Sequence, residues 1–103
     1  YRLREADMIQ TINWQGIEIE ITYIESYSKS YERIYGYPLS HIELRAKERL
    51  PVTETGYRSH FSPAPLLSDF KTPEDFVRAW LDQEAERPEW KQYKENSKQL
   101  VLF

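Results

Sequence analysis

The sequence predicts an α+β domain, a small antiparallel sheet of three or four strands with one long and one short C-terminal helix packed on one face. Three observations carry this. "IEIEITY" alternates isoleucines with acids at a period of two, which only a half-buried strand requires. "TPEDFVRAWL" opens with helix-start chemistry and carries one apolar stripe. Strand-like runs precede helix-like runs instead of alternating with them, which favours an antiparallel sheet over a βαβ arrangement.

The first two strands flank Gly16. Ile12 and Trp14 alternate with Thr11 and Asn13, and Ile17, Ile19, Ile21 and Tyr23 alternate with Glu18, Glu20 and Thr22. Asn13-Trp14-Gln15-Gly16 between them suits a type I turn closed by Gly16 in the left-handed region. The next stretch, "YIESYSKSYERIYGYP", places Tyr23, Tyr27, Tyr31 and Tyr35 at every fourth position. Its serines weaken both helix and strand, so a strand end, a loop and a turn at Gly36-Tyr37-Pro38 are expected. A third strand follows, with Ile42, Leu44 and Ala46 on the buried side and His41, Glu43 and Arg45 facing solvent.

A fourth short strand is expected around Val52 to Thr55, ended by Gly56, and "SPAPLLSDFK" reads as irregular because Pro63 and Pro65 lack amide donors. Thr72 is then an N-cap, Pro73 fits the first turn, and Glu74 and Asp75 suit the positive end of the helix dipole. Phe76, Val77, Trp80 and Leu81 form the stripe that should meet the isoleucine face. Pro88 interrupts or restarts the helix, and the segment after it carries Trp90 and Tyr93 on one side. The expected organisation is an N-terminal extension over 1–8, one domain over 9–97 and an apolar tail over 98–103. The chain begins at Tyr1, so either an initiator has been removed or the numbering starts inside a longer product.

Composition narrows the function classes. The 103 residues are 40% hydrophobic and 30% charged, a globular profile rather than a disordered one. A net charge of −3 argues against direct nucleic-acid binding, which needs a basic face. No apolar run is long enough to span a bilayer, so no membrane association is expected, and the absence of cysteine fits a cytoplasmic setting. With no cysteine and two histidines, neither a metal nor a cofactor is expected.

Enzyme chemistry finds one foothold. "TETGYRSHF" gathers Glu54, Tyr57, Arg58, Ser59 and His60 beside one glycine. A carboxylate–imidazole pair with a nearby hydroxyl could serve a small hydrolase. A hydrogen-bonded corner holding sheet against helix explains the same residues more simply. The helix acids Glu74, Asp75, Asp82, Glu84, Glu86 and Glu89 offer another alternative, an acidic surface that inhibits host defence nucleases.

The tail is more specific. "QLVLF" resembles the Gln-Leu-x-Leu-Phe pentapeptide by which bacterial replication and repair proteins dock on the DNA polymerase sliding clamp. Val101 occupies the middle position, where Ser or Asp is usual. The resemblance implies that Leu102 and Phe103 fill an apolar pocket, Leu100 a shallower one, and that the Gln99 amide fixes orientation. A buried final strand is the competing explanation for four apolar residues in a row. Together, "TINWQGIEIEI", "HIEL", "LPVTETGYRSHF", "VRAWLD" and "QLVLF" resemble a group of small proteins of proteobacterial plasmids and mobile elements. Residues 25–38 are this chain's departure from that group. The resemblance implies a non-enzymatic accessory or adaptor protein that binds a host protein partner.

Overall fold

A computed structural model describes residues 6–101, and of 99–101 the backbone alone. The fold is α+β, with four antiparallel strands in the order β1-β2-β3-β4. The strands are β1 (Met8–Trp14), β2 (Ile17–Ile24), β3 (Leu39–Ala46) and β4 (Tyr57–Pro63), and the helices are α1 (Lys29–Tyr35), α2 (Ala64–Leu67), α3 (Pro73–Glu84) and α4 (Pro88–Val101).

The β1–β2 hairpin closes through the Trp14–Ile17 pair, leaving Gln15 and Gly16 as a two-residue loop. Both loop residues are left-handed, with φ of 50° and 83°. The turn is therefore type I′ rather than the expected type I. Type I′ matches the right-handed twist of the two strands, and Gln15 accepts the uncommon φ to obtain that match. The Asn13 side chain steadies the loop by accepting the Gly16 N–H at 3.0 Å.

Three sequence expectations change between residues 25 and 70. Lys29–Tyr35 is helical, where a loop was expected. The serine and glycine that looked like breakers are its caps: Ser28 accepts the Tyr31 N–H, and Gly36, at φ 80°, donates to the Glu32 carbonyl. The fourth strand runs from Tyr57 to Pro63, not from Val52 to Thr55. Leu50 and Thr53 instead form a tight isolated bridge, so Gly56 precedes β4 rather than ending it. Pro63 is tolerated because β4 is an edge strand and its position alternates with residues that bond β3, so no ladder donor is lost. The segment expected to be irregular thus holds the end of β4 and the short helix α2.

The register explains the core. Ile12, Ile19, Leu44 and their neighbours share one face, because the Cα partners are Ile12↔Ile19, Ile21↔Leu44 and Ile42↔His60. Ile19, Ile21, Ile42 and Leu44 are fully buried there. Helix α3 lies along this face. Its N-cap Thr72 accepts the Asp75 N–H, and Val77 and Leu81 point into the sheet with no residual exposure. Glu74 and Arg78 turn towards β1, where Gln10 donates to Glu74 and Arg78 donates to the Asn13 carbonyl at 3.1 Å. Trp14 Nε1 donates to Asp82 at 2.9 Å, so its ring is buried without stranding a donor. Trp90 of α4 packs on Trp14 with ring centroids 5.9 Å apart.

Helix α3 has 12 residues and α4 has 14, so the two are of similar length rather than one long and one short. Its backbone is helical through Val101, which rules out a final strand for Lys98–Val101. Met8 opens β1, and Asp7 donates to the Tyr23 carbonyl while its carboxylate accepts the Glu25 N–H. Residues expected to be extension therefore reach the sheet, and 1–5 lie outside the described residues.

Candidate functional site

Strand alternation separates the residues of "TETGYRSHF". Gly56 lets the chain turn against β3, at φ 86° and with no room for a side chain. Beyond it, Arg58 and His60 fall on the helix face, opposite Leu44 and Ile42, while Tyr57 and Ser59 fall on the other face. Glu54 stays in the preceding loop, 3.5 Å from Arg49 and mostly exposed. Arg58 donates to the Val52 carbonyl and lies over the Trp80 ring. His60 stacks on Phe76 at 5.8 Å and contacts Trp80 at 4.7 Å. Thr53 donates to the Tyr57 carbonyl at 2.8 Å. These are the contacts of a corner that ties β4 to α3. Glu54, Ser59 and His60 do not converge on one point, as a hydrolase site would need.

The histidine that Ser59 does meet is His41, with Ser59 Oγ 2.7 Å from its Nε2. His41 lies on the open face of the sheet, as alternation requires, yet it is only 7% exposed rather than solvent-facing. Phe61 stacks on its ring at 4.4 Å and Tyr27 covers it at 4.9 Å. The cover comes from the segment after β2, which no strand periodicity could place. Beside this stack, Tyr57 donates to Glu43 at 2.6 Å, and Glu43 also pairs with Arg45. Further along, Tyr31, Tyr35 and Tyr37 pack together, with 4.4 Å between the first two rings. Burial and a hydrogen bond to Tyr37 push the Tyr31 phenol up.

The open face is thus an aromatic and hydrogen-bonded surface. Phe61, Tyr57 and Tyr27 remain roughly half exposed on it. An open depression of about 320 Å³ lies over β1 to β3, lined by Thr11, Glu18, Glu20, Arg45, Ala46 and Lys47. Among the described residues, no group of three His, Cys, Asp or Glu side chains is arranged to hold a metal ion. No described helix is long and apolar enough to cross a membrane.

The helix acids are largely engaged within the fold. Glu74 bonds Arg78 and Gln10, Asp82 accepts from Trp14, Glu84 meets Arg87 at 2.6 Å and Glu86 meets Lys91 at 3.5 Å. A surface whose carboxylates already have partners offers less field than the sequence count suggests. The side chains of Gln99 and Leu100, and Leu102 and Phe103 entirely, lie outside the described residues. What the structure adds is their attachment. Among the described residues, α4 packs on the rest of the chain through Trp90 and Tyr93, with Tyr93 under the Arg49 guanidinium at 4.7 Å. The polar turn Lys94–Lys98 then leads to the tail.

Both histidines are held neutral, with pKa values below the ordinary 6.5. Burial is the main cause for each, opposed by Glu43 at His41 and reinforced by Arg58 at His60. A depressed folded pKa means that the unfolded chain binds protons first as pH falls. Stability is therefore full above 6.5 and lost from there down towards the folded values, with a slope of at most about 2.7 kcal/mol per pH unit if both groups titrate together. Urea titrations between pH 7.5 and 5 should show that decline, and His60→Gln should reduce it. The Glu74 carboxyl, held low by Arg78 and Gln10, adds its own loss only below the ordinary carboxylate range.

Fold and surface together define a small α+β domain with one helical layer and an aromatic open sheet face. A family model, KlcB third domain, matches residues 8–90. The chain belongs to this family. The match spans the whole sheet and α1 to α3, includes 25–38, and ends at Trp90, before the pentapeptide. No curated protein and no solved structure matches the chain.

Proposed function

We propose that this KlcB-type domain is a plasmid-associated accessory protein that works as a non-enzymatic adaptor in the bacterial cytoplasm. Its partner is a host protein, the DNA polymerase sliding clamp, engaged through Gln99, Leu100, Leu102 and Phe103. Membership of the KlcB third-domain family supports the accessory role. The observation that carries the docking role is the geometry of α4: its ring contacts with the domain are made by Trp90 and Tyr93, and the polar turn Lys94–Lys98 separates them from the pentapeptide. A docking peptide needs such a spacer, because it must leave its own domain without dismantling the core. Docking in an extended form would unwind the last turn of α4, which bears only the modest cost of a frayed helix end.

Titration of purified clamp with the full chain should give micromolar affinity, about 8 kcal/mol of binding free energy. Deleting 99–103, or replacing Leu102 and Phe103 with alanine, should abolish it while leaving the unfolding transition cooperative and unchanged in midpoint. Binding that survives the deletion, or no binding by the full chain, rejects the reading.

A further inference from the structure

The two edges of the sheet are not equally protected. Edge strands expose main-chain donors and acceptors, and proteins usually blunt them with charge, proline or a covering contact. The β4 edge has all three: Arg58 and Pro63 within the strand, and Thr53 bonded to the Tyr57 carbonyl. The β1 edge, MIQTINW, has neither a charged residue nor a proline. It also carries Ile9, 66% exposed.

The hairpin register says which groups β1 offers. Trp14 and Ile17 flank a two-residue loop and so form a hydrogen-bonded pair, as do Ile12 with Ile19 and Gln10 with Ile21. The main-chain groups of Ile9, Thr11 and Asn13 therefore point away from β2. The Asn13 carbonyl is taken by Arg78, and before the strand the Asp7 N–H turns inward to Tyr23. Among the described residues, Ile9 and Thr11 are left as the positions that offer both a donor and an acceptor.

We propose that β1 is a homodimerisation edge, pairing antiparallel with β1 of a second copy so that Ile9 of each chain lies opposite Thr11 of the other. This two-fold arrangement, centred on Gln10, is the self-pairing that uses both free positions on both chains, and it forms four main-chain hydrogen bonds. It sets no like charges opposite each other, because the strand is uncharged. That neutrality also selects the occupant: the edge has no charge to complement an acidic or basic peptide, and β1 itself is a neutral strand of matching length. On the helix face, Gln10 meets its counterpart, each already held by Glu74 of its own α3. On the open face, Ile9 gains cover from Thr11 of the other chain. The result is one sheet continuous through both copies, with α3 flanking it on each side of the axis.

Sedimentation equilibrium of the 103-residue chain across the micromolar to millimolar range tests this. A concentration-dependent monomer–dimer equilibrium is expected, with amide exchange at Ile9 and Thr11 slowing as dimer forms. Ile9→Lys should weaken dimerisation about tenfold or more while leaving the circular dichroism and low-concentration stability intact. Thr11→Pro, which removes an outward donor and no bond to β2, should act in the same direction. If Thr11→Pro does not fold, Ile9→Lys still decides the matter. A monomer at every concentration overturns the proposal. So does a dimer that Ile9→Lys leaves unchanged, or one lost instead on Phe61→Lys at the opposite edge.

Discussion

Gly56→Ala should lower the unfolding free energy by on the order of 3 kcal/mol or more, and Gly36→Ala by only about 1. The two glycines share a left-handed backbone, with φ of 86° and 80°. They differ in space. A Cβ on Gly36 meets nothing within 4 Å, whereas one on Gly56 would sit 2.3 Å from the Ala46 carbonyl oxygen. That oxygen belongs to the backbone of β3 and cannot rotate away. The Gly56 carbonyl also accepts the Ala46 N–H at 2.8 Å, so moving the chain outward breaks the first rung of β3–β4. Comparing the two variants in urea separates the steric term from the conformational one. Equal losses would show that the approach to Ala46 relaxes without cost.

Leu81→Ala should cost about 2–5 kcal/mol, and Ile34→Ala no more than about 0.5. Leu81 is fully buried in the cluster of Ile19, Ile21, Leu44 and Val77, while Ile34 is 74% exposed on α1. Removing three carbons from the middle of α3 opens a cavity between two rigid layers, and neither layer can close over it alone. Trp14, Trp80 and Trp90 lie in or against this core, so tryptophan fluorescence reports its unfolding directly. A small loss at Leu81 would mean that α3 rides loosely on the sheet and that the strands carry the stability by themselves.

What was legible in the sequence had a period or a cap. Ile17, Ile19 and Ile21 are buried while Glu18 and Glu20 are exposed, as alternation demands. Thr72 caps α3, and Val77 and Leu81 face the core. The misread segments share one cause: local signals with two meanings. Ser28 and Gly36 read locally as breakers, although serine before a turn and glycine after one also cap a helix. Pro63 reads locally as a strand breaker, although an edge strand has outward positions that need no N–H. The caps of α1 are local but ambiguous in sequence, whereas for Pro63 the deciding pairing, with β3, lies outside the local window.

The candidate surface shows the same division. Alternation puts His41 on the face opposite Ile42, where it lies, but alternation specifies a direction and not what waits there. Tyr27 and Phe61, 14 residues before and 20 after, bury it. Ser59 and His60, adjacent in sequence, point to opposite faces because a strand makes neighbours diverge. The Ser59–His41 contact joins two strands and could be read only once their register was known.

By itself the sequence determined the α+β class, the isoleucine face and the start of α3, because period and capping act within a few residues along the chain. Tertiary structure alone decided where the fourth strand lies, which histidine meets which hydroxyl, and which edge of the sheet is the less protected. Those depend on strand register, and register is set by the pairing of segments distant in sequence, where one shifted residue exchanges the two faces.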